Sequence, residues 1–273
     1  MRSPLVWVGG KFYLAKAIIG LFPPHKCYVE VFGGAGHVLM QKYRSPVEVY
    51  NDINGEVVNF FLQLRDRPEE LKRKCELSPY SRALYEAWKK DPLPDDPLER
   101  AARFFFLLRS SMNKGWPLTG WAHSKKKNSA SFYHSGIAQF LEVAKRLFAV
   151  QIECKDFRYI IDTYDSLETL FYCDPPYVEL EHYYAGGFNE QDHRDLAAKL
   201  NNIQGKAIVS YYPHSLVDEL YKGWRKEEVQ CVKHSEGLTK NNDKAMRARS
   251  VELLLMNYPR PQVNYPIAKA RGL

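Results

Sequence analysis

Residues 171–180 read FYCDPPYVEL. Phe171, Tyr172 and Cys173 have the apolar character of a buried strand end, and a single carboxylate, Asp174, follows them with two prolines and a tyrosine. A residue that precedes proline is held in extended geometry, and proline fixes its own φ, so Asp174, Pro175 and Pro176 are locked in succession. The Asp174 carboxylate and the Pro175 carbonyl can then form a rigid pair of acceptors, with the Tyr177 ring beside them as a stacking surface. Such a pair suits an exocyclic amino group on a flat base, whose lone pair is delocalised into the ring. Gripping its hydrogens favours a tetrahedral nitrogen and frees the lone pair to attack a methyl sulfonium. That stabilisation acts on the reacting state, with orientation already provided. A base within a duplex cannot reach such a pocket and must first be flipped out. The plainer reading is a proline-rich turn after a strand.

A second group of residues suits a nucleoside. The stretch YVEVF (28–32) opens onto Gly33-Gly34-Ala35-Gly36, and VEVY (47–50) closes on Asn51-Asp52. Glycines let the chain turn and let a ligand approach without a Cβ in the way. An acid at the end of the next strand can accept from ribose hydroxyls. The pattern is not the full dinucleotide fingerprint, because Leu39 stands where a third glycine is needed, and Gly9-Gly10-Lys11 is not a P-loop, because Phe12 replaces the Ser/Thr. Trp7 and Lys11 bracket that glycine pair and offer a ring and a cation for a flat group and a carboxylate. They can equally be a core tryptophan and a surface lysine.

The elements that must position these groups follow from periodicity. Leu14, Ile18 and Leu21 share one face of a helix expected over 11–21, which Pro23-Pro24 ends. The order strand, glycine turn, helix, strand begins a doubly wound parallel sheet. From 56 to 149 helical stretches dominate (68–75, 80–90, 98–111 and near 136–148), interrupted by a long basic and aromatic loop over 112–133. A parallel crossover needs only about a dozen residues, so this stretch reads as an insertion. Strands resume at VQIEC (150–154), TLFYC (169–173), KAIVSYY (206–212) and SVELLLMNY (250–258), and Asn189 with Asp192 forms a capping-box pattern. The expected organisation is a discontinuous catalytic domain of 1–55 and 150–260, a helical insertion of 56–149, and a proline-rich basic tail of 261–273.

The chain has 273 residues, 45% of them hydrophobic, and a formal net charge of +7. The positive excess favours a polyanionic partner without requiring one. No run of roughly 18 apolar residues is present, so no membrane span is expected. Five scattered cysteines without CxxC spacing predict neither a disulfide framework nor a metal site, and fit a reducing cytoplasm.

Taken in order, WVGGKFYLAKAI, VEVFGGAGHVL, YNDIN, CKDF, FYCDPPY, FNEQDHRDLAAKL and RARSVELLLMNY resemble the Dam-type (D12 class, α-group) DNA adenine-N6 methyltransferases. The resemblance implies an α/β class I S-adenosylmethionine-dependent fold: a Rossmann-like seven-stranded sheet, mostly parallel with an antiparallel last strand, carrying a helical target-recognition insertion. It implies S-adenosylmethionine as methyl donor and double-stranded DNA as substrate, and it allows a cognate restriction endonuclease as partner. It makes Trp7, Lys11, Phe32, Gly33, Gly34, Ala35, Gly36 and Asp52 cofactor contacts, with Asp156 and Phe157 at the cofactor's adenine. It makes Asp174 a contact of both cofactor and target amine, with Pro175, Pro176 and Tyr177 completing the catalytic motif. Arg109 and Asn113 resemble base-reading positions. Lys114 and Lys125, Lys126 and Lys127 stand among Trp116, Trp121, Phe132 and Tyr133, where cations can meet phosphates and rings can wedge. Arg247 and Arg249, before the last strand, are candidate backbone clamps. The base-reading pattern of the family's best-known members is not intact over 110–134, so no target sequence is assigned. Cytosine-N4 or RNA adenine-N6 methylation stays open, as does a catalytically inactive DNA-binding paralogue. Cytosine-C5 chemistry is disfavoured by the absence of a Pro-Cys pair, and protein-amide methylation by Asp rather than Asn at 174.

Overall fold

The computed structural model describes residues 1–7, 9–113, 118–181, 186–232, 239–241, 244–246 and 249–259, with the side chains of 231–250 excepted. Expectations placed on Lys114, Trp116, Arg247, the Arg249 side chain and the 261–273 tail lie outside the described residues.

Seven strands form one sheet: β1 (Cys27–Glu30), β2 (Val47–Asn51), β3 (Gln151–Glu153), β4 (Thr169–Cys173), β5 (Lys206–Tyr211), β6 (Arg225–Val232) and β9 (Arg249–Met256). Their order is β3-β2-β1-β4-β5-β9-β6. Neighbours from β3 through to β5 run parallel, and β9 is antiparallel to both β5 and β6. A separate ribbon pairs β7 (Thr239–Asn241) with β8 (Lys244–Met246). The sheet is the mostly parallel seven-stranded one expected, but β6 was not read from sequence. Its residues, RKEEVQCV, carry charges on a strand that pairs only with β9. Edge strands carry such charges because one flank faces water.

The chain leaves β1 toward β2 and β3, then returns to lay β4 on the other flank of β1. The connections diverge here, and an open α/β sheet offers a crevice beyond the carboxyl ends of its strands at such a switch point. The register places Glu30 opposite Tyr172, and the Val31 N–H donates to the Tyr172 carbonyl at 3.0 Å. The glycine turn after β1 and the Asp-Pro-Pro-Tyr turn after β4 therefore emerge side by side. All five β4 residues are buried, as a central strand covered on both faces requires.

One helix on the β1–β2 side is shorter than the periodicity suggested. Helix α1 covers only Ala15–Ile19, and α2 (His37–Gln41) follows the glycine turn. Among the described residues six helices fill the crossover from β2 to β3: α3 (Gly55–Asp66), α4 (Pro68–Leu77), α5 (Arg82–Lys90), α6 (Pro97–Ser110), α7 (Ser129–Ile137) and α8 (Phe140–Leu147). The helix expected near 136–148 is thus two, and its first takes up the end of the expected loop. Helix α6 starts on Asp96, whose carboxylate accepts from the Leu98 and Glu99 N–H groups, with Pro97 in the first turn. Its residues from Ala101 to Ser110 are nearly all buried, which makes it the axis of the helical segment.

The helical segment has no core of its own. Phe60, Phe61, Phe105 and Phe140 belong to one continuous apolar cluster with Tyr28, Tyr50, Leu170 and Tyr172 of the sheet. A buried ion cluster adds to that junction: Glu48 of β2 takes Lys42 at 2.5 Å and Arg146 of α8 at 2.5 Å. The opposite face of the sheet is covered by α9 (Phe157–Tyr164), α10 (Glu190–Leu200) and α11 (Ser215–Leu220). The capping box at Asn189 and Asp192 forms as read. Among the described residues no helix is long and apolar enough to cross a membrane.

Candidate active site

A cavity with about 760 Å³ of empty space, part of it open to solvent, lies beyond the carboxyl ends of β1, β2 and β4. The glycine turn shapes one wall. Gly34 and Gly36 have φ of 49° and 64°, backbone that side chains rarely adopt. A Cβ on Gly33 would stand 2.1 Å from the Tyr50 ring. The Tyr50 hydroxyl donates to the Gly34 carbonyl at 2.6 Å, and the Gly34 N–H donates to Asp52 Oδ2 at 2.7 Å. Asp52 Oδ1 takes the Asn54 N–H at 2.8 Å, so each of its oxygens keeps a lone pair for a further donor. Burial pushes the Asp52 carboxyl up, and these two N–H bonds oppose that shift.

Trp7, Lys11, Phe32, Gly33, Gly34, Ala35, Asp52 and Asp174 all line this one cavity. The separate sequence motifs thus converge. Lys11 reaches down from its turn before α1 and is only 5% exposed. Its Nζ lies 2.7 Å from each Asp174 oxygen and 3.2 Å from Glu252 Oε1. The Tyr177 hydroxyl donates to Glu252 Oε1 at 2.5 Å and to Asp174 Oδ1 at 3.2 Å. Burial pushes the Asp174 carboxyl up to about 6; Lys11 holds it down and Glu252 raises it further.

Four cavity or cluster residues were not read from the sequence. Glu30 and Glu252 are lone acids within otherwise apolar strands, a signal that was present and passed over. Glu30 Oε2 accepts from the Tyr28 hydroxyl and the Leu39 N–H, both at 2.8 Å, and burial pushes its carboxyl up to about 8. His37 lines the cavity at the start of α2, and its Nδ1 is buried without a partner among the described residues. Phe188 lies 5.9 Å from Phe32 and 5.8 Å from Phe157, closing an aromatic side of the cavity. It opens the motif FNEQDHRDLAAKL, which was read only for its helix start at Asn189.

Several expected contacts are corrected. Asp156 is not on the cavity wall: its carboxylate caps α9 through the Arg158 N–H at 2.8 Å and pairs with the Arg158 guanidinium at 3.1 Å. Phe157 is 5% exposed and packs behind Phe32 rather than lining the cavity. Tyr177 does not present an open stacking face. Its ring is 5% exposed, stands edge-on to Tyr212 at 4.5 Å, and has Lys11 Nζ at 5.0 Å from its centroid. Pro176 lines the cavity; Pro175 is buried off its wall.

Arg109 is not placed to read bases. It is 4% exposed, its guanidinium donates to the Phe132 carbonyl and to Ser135 Oγ at 2.9 Å, and it lies 3.8 Å over the Phe132 ring. Its burial without a carboxylate pushes it down to about 9. Tyr133 and Trp121 also turn inward: the Tyr133 hydroxyl donates to the Cys75 carbonyl, and Trp121 packs on Tyr80 at 4.2 Å. Asn113 is exposed, and Lys125, Lys126 and Lys127 are exposed on a turn whose Ser124 Oγ accepts from the Lys126 and Lys127 N–H groups.

Residues 7–236 match the family of D12 class N6 adenine-specific DNA methyltransferases. The chain belongs to this family. It is similar to the DNA adenine methylase of Haemophilus influenzae, 26% identical over 92% of each chain. It is also similar to the DNA adenine methylase of Vibrio cholerae, 27% identical over 94% of this chain and 96% of the relative. A third relative, the Type II methyltransferase M.MjaIII of Methanocaldococcus jannaschii, is 27% identical over 93% of this chain and 98% of the relative. The protein is thus an adenine-specific DNA methyltransferase.

Proposed function

We propose that the enzyme transfers the methyl group of S-adenosylmethionine to N6 of an adenine flipped out of double-stranded DNA. The observation that carries this reading is that Asp174 and the glycine turn, at the ends of adjacent strands, open into one cavity. The residues fit the cofactor. Rings of Trp7, Phe32 and Phe188 give apolar walls, Asp52 keeps lone pairs for ribose hydroxyls, and the orphan Nδ1 of His37 can take a polar partner. When bound, S-adenosylmethionine supplies an electrophilic methyl group on a sulfonium.

The chain's own residues do the rest. Asp174, which lines the cavity beside Pro176, accepts a hydrogen of the target amine and so favours the tetrahedral nitrogen whose lone pair is free to react. Lys11 and the Tyr177 hydroxyl hold the Asp174 oxygens in place, which leaves the carboxylate no reorganisation at the moment of reaction. With its pKa raised to about 6, Asp174 is ionised at neutral pH and is a stronger acceptor than an ordinary carboxylate. Lys125, Lys126 and Lys127 carry the phosphate contacts of the helical segment, and its exposed Asn113 remains a base-contact candidate. The work is that of a cytoplasmic enzyme.

The test supplies purified protein with S-adenosylmethionine labelled in its methyl group and duplex DNA, then digests the product to nucleosides. Label is expected in N6-methyladenine. Label found only in N4-methylcytosine, or only when RNA replaces DNA, overturns the substrate assignment.

A further inference from the structure

Around the inner end of the cavity the charges do not balance. Lys11 is the one cation among the described residues that contacts both Asp174 and Glu252. The other described groups facing this pair add no positive charge: Tyr172 and Tyr177 are phenols whose pKa burial raises well above the ordinary value. Glu30 is pushed up to about 8 by burial, and His37 down to about 4 by burial with Arg2 and Lys11 nearby, so both are mostly neutral at pH 7. Asp52, the remaining acid of the cavity wall, sits at its far strand end. Among the described residues two carboxylates therefore share one ammonium, which leaves one negative charge in excess.

Glu252 is the source of that excess. It is 3% exposed and reaches the site because β9 runs antiparallel, so that the start of this strand, not its end, lies at the edge where β4 finishes. A Lys11–Asp174 pair alone would be neutral. A buried carboxylate lacking its own counter-ion is costly and is kept where a partner supplies the missing charge.

We infer that Glu252 is a specificity-determining residue through which the cavity distinguishes a sulfonium donor from its neutral thioether product. This rests on the reading of the cavity as the S-adenosylmethionine site. The bound sulfonium completes the charge balance, and its conversion to a thioether removes that balance and favours release. Glu252 acts through Lys11 and Asp174, so it shapes the field at the reacting atoms without touching them.

The experiment measures dissociation constants by calorimetry for S-adenosylmethionine, S-adenosylhomocysteine and sinefungin, whose amine carries a positive charge in place of the sulfonium. One unit charge at several ångströms in a partly polarisable interior corresponds to a change of about tenfold. Glu252→Gln is expected to weaken S-adenosylmethionine and sinefungin about tenfold relative to S-adenosylhomocysteine, and Glu252→Asp to restore the native ratio. Loss of all three affinities by one common factor, or an unchanged ratio, overturns the inference and leaves Glu252 a structural residue. The native protein supplies a second measurement that needs no variant. Between pH 7.5 and pH 5 the cluster takes up a proton, and the affinity ratio should move in the same direction as in Glu252→Gln; a ratio independent of pH also overturns the inference. A native protein that binds none of the three nucleosides refutes the cofactor reading itself, a result distinct from an unchanged ratio.

Discussion

Asp174→Asn should make the protein more stable and nearly inactive. The native carboxyl is held at about 6 in the fold against 3.8 for the free side chain, with burial as the main cause and Glu252 adding to it. A carboxyl raised in this way binds more protons folded than unfolded between those two values. Its contribution to stability is therefore most favourable below about 3.8, falls as pH rises through about 6, and stays at its least favourable above that. The full difference corresponds to about 3 kcal/mol at pH 8, roughly half of that at pH 5, and little at pH 4. Asparagine removes the buried charge and leaves Lys11 to pair with Glu252 one to one. It gives back part of the gain because an amide is a weaker partner for Lys11 and the Tyr177 hydroxyl. Those losses do not depend on pH, so the quantity to read is a change in the native–variant difference of about 1–2 kcal/mol between pH 8 and pH 5. For a chain of this size that is a relative shift in Tm of roughly 3–6 °C, within reach of calorimetry on both proteins at both pH values. Methyl transfer by the variant should fall about 10²–10³-fold, the scale for loss of one preorganised charge-stabilising group. A stability difference that is the same at pH 8 and pH 5, or that favours the variant more in acid, would refute the reasoning.

Three further outcomes follow from the same structure. In Gly33→Ala the new Cβ meets the Tyr50 ring at 2.1 Å, and that ring is tethered by its hydroxyl to Gly34. The turn must shift, so urea unfolding should show a loss of about 1–3 kcal/mol, and calorimetry an affinity for S-adenosylmethionine at least about tenfold weaker. Arg109→Met removes the guanidinium donor to the Phe132 carbonyl and Ser135 Oγ, while the Ser135 hydroxyl still donates to that carbonyl, and should cost about 1–2 kcal/mol in urea unfolding; an altered base preference at native stability would restore its base-reading role. Replacing exposed Lys125, Lys126 and Lys127 by Gln should leave the unfolding midpoint within about 0.5 kcal/mol of native while the slope of log affinity for DNA against log salt falls by about 2–3. An unchanged slope removes this turn from the DNA face.

Much of the sheet was legible because strand identity is a near-neighbour property: TLFYC and KAIVSYY are short apolar runs bounded by turns, and they formed strands within a residue of their expected ends. Strand β6 was missed because its charges obey the solvent on its open flank rather than an apolar pattern. The helix expected over 11–21 shortened to Ala15–Ile19, with Lys11 drawn down to Asp174, a partner 163 residues away that no local period reports. The basic and aromatic segment misled in a different way. Its lysines are exposed as read, but Arg109, Trp121 and Tyr133 pack inward, since rings and a long aliphatic stem gain more from burial than a solvated loop offers.

By itself the sequence determined the chemistry of the parts: a glycine turn free to take positive φ, a carboxylate stiffened by two prolines, an acid at the end of the next strand. These depend on residue type and adjacent φ/ψ, which a few neighbours settle. The tertiary structure alone decided their charge state and their company. The β1–β4 switch point brought the two turns together, the reversed direction of β9 brought Glu252 to Tyr177 across 75 residues, and the burial of Asp174 raised its pKa. Electrostatic energy in a protein depends on distance and exposure rather than on position along the chain, so the balance at Lys11 exists only once the sheet has closed around it.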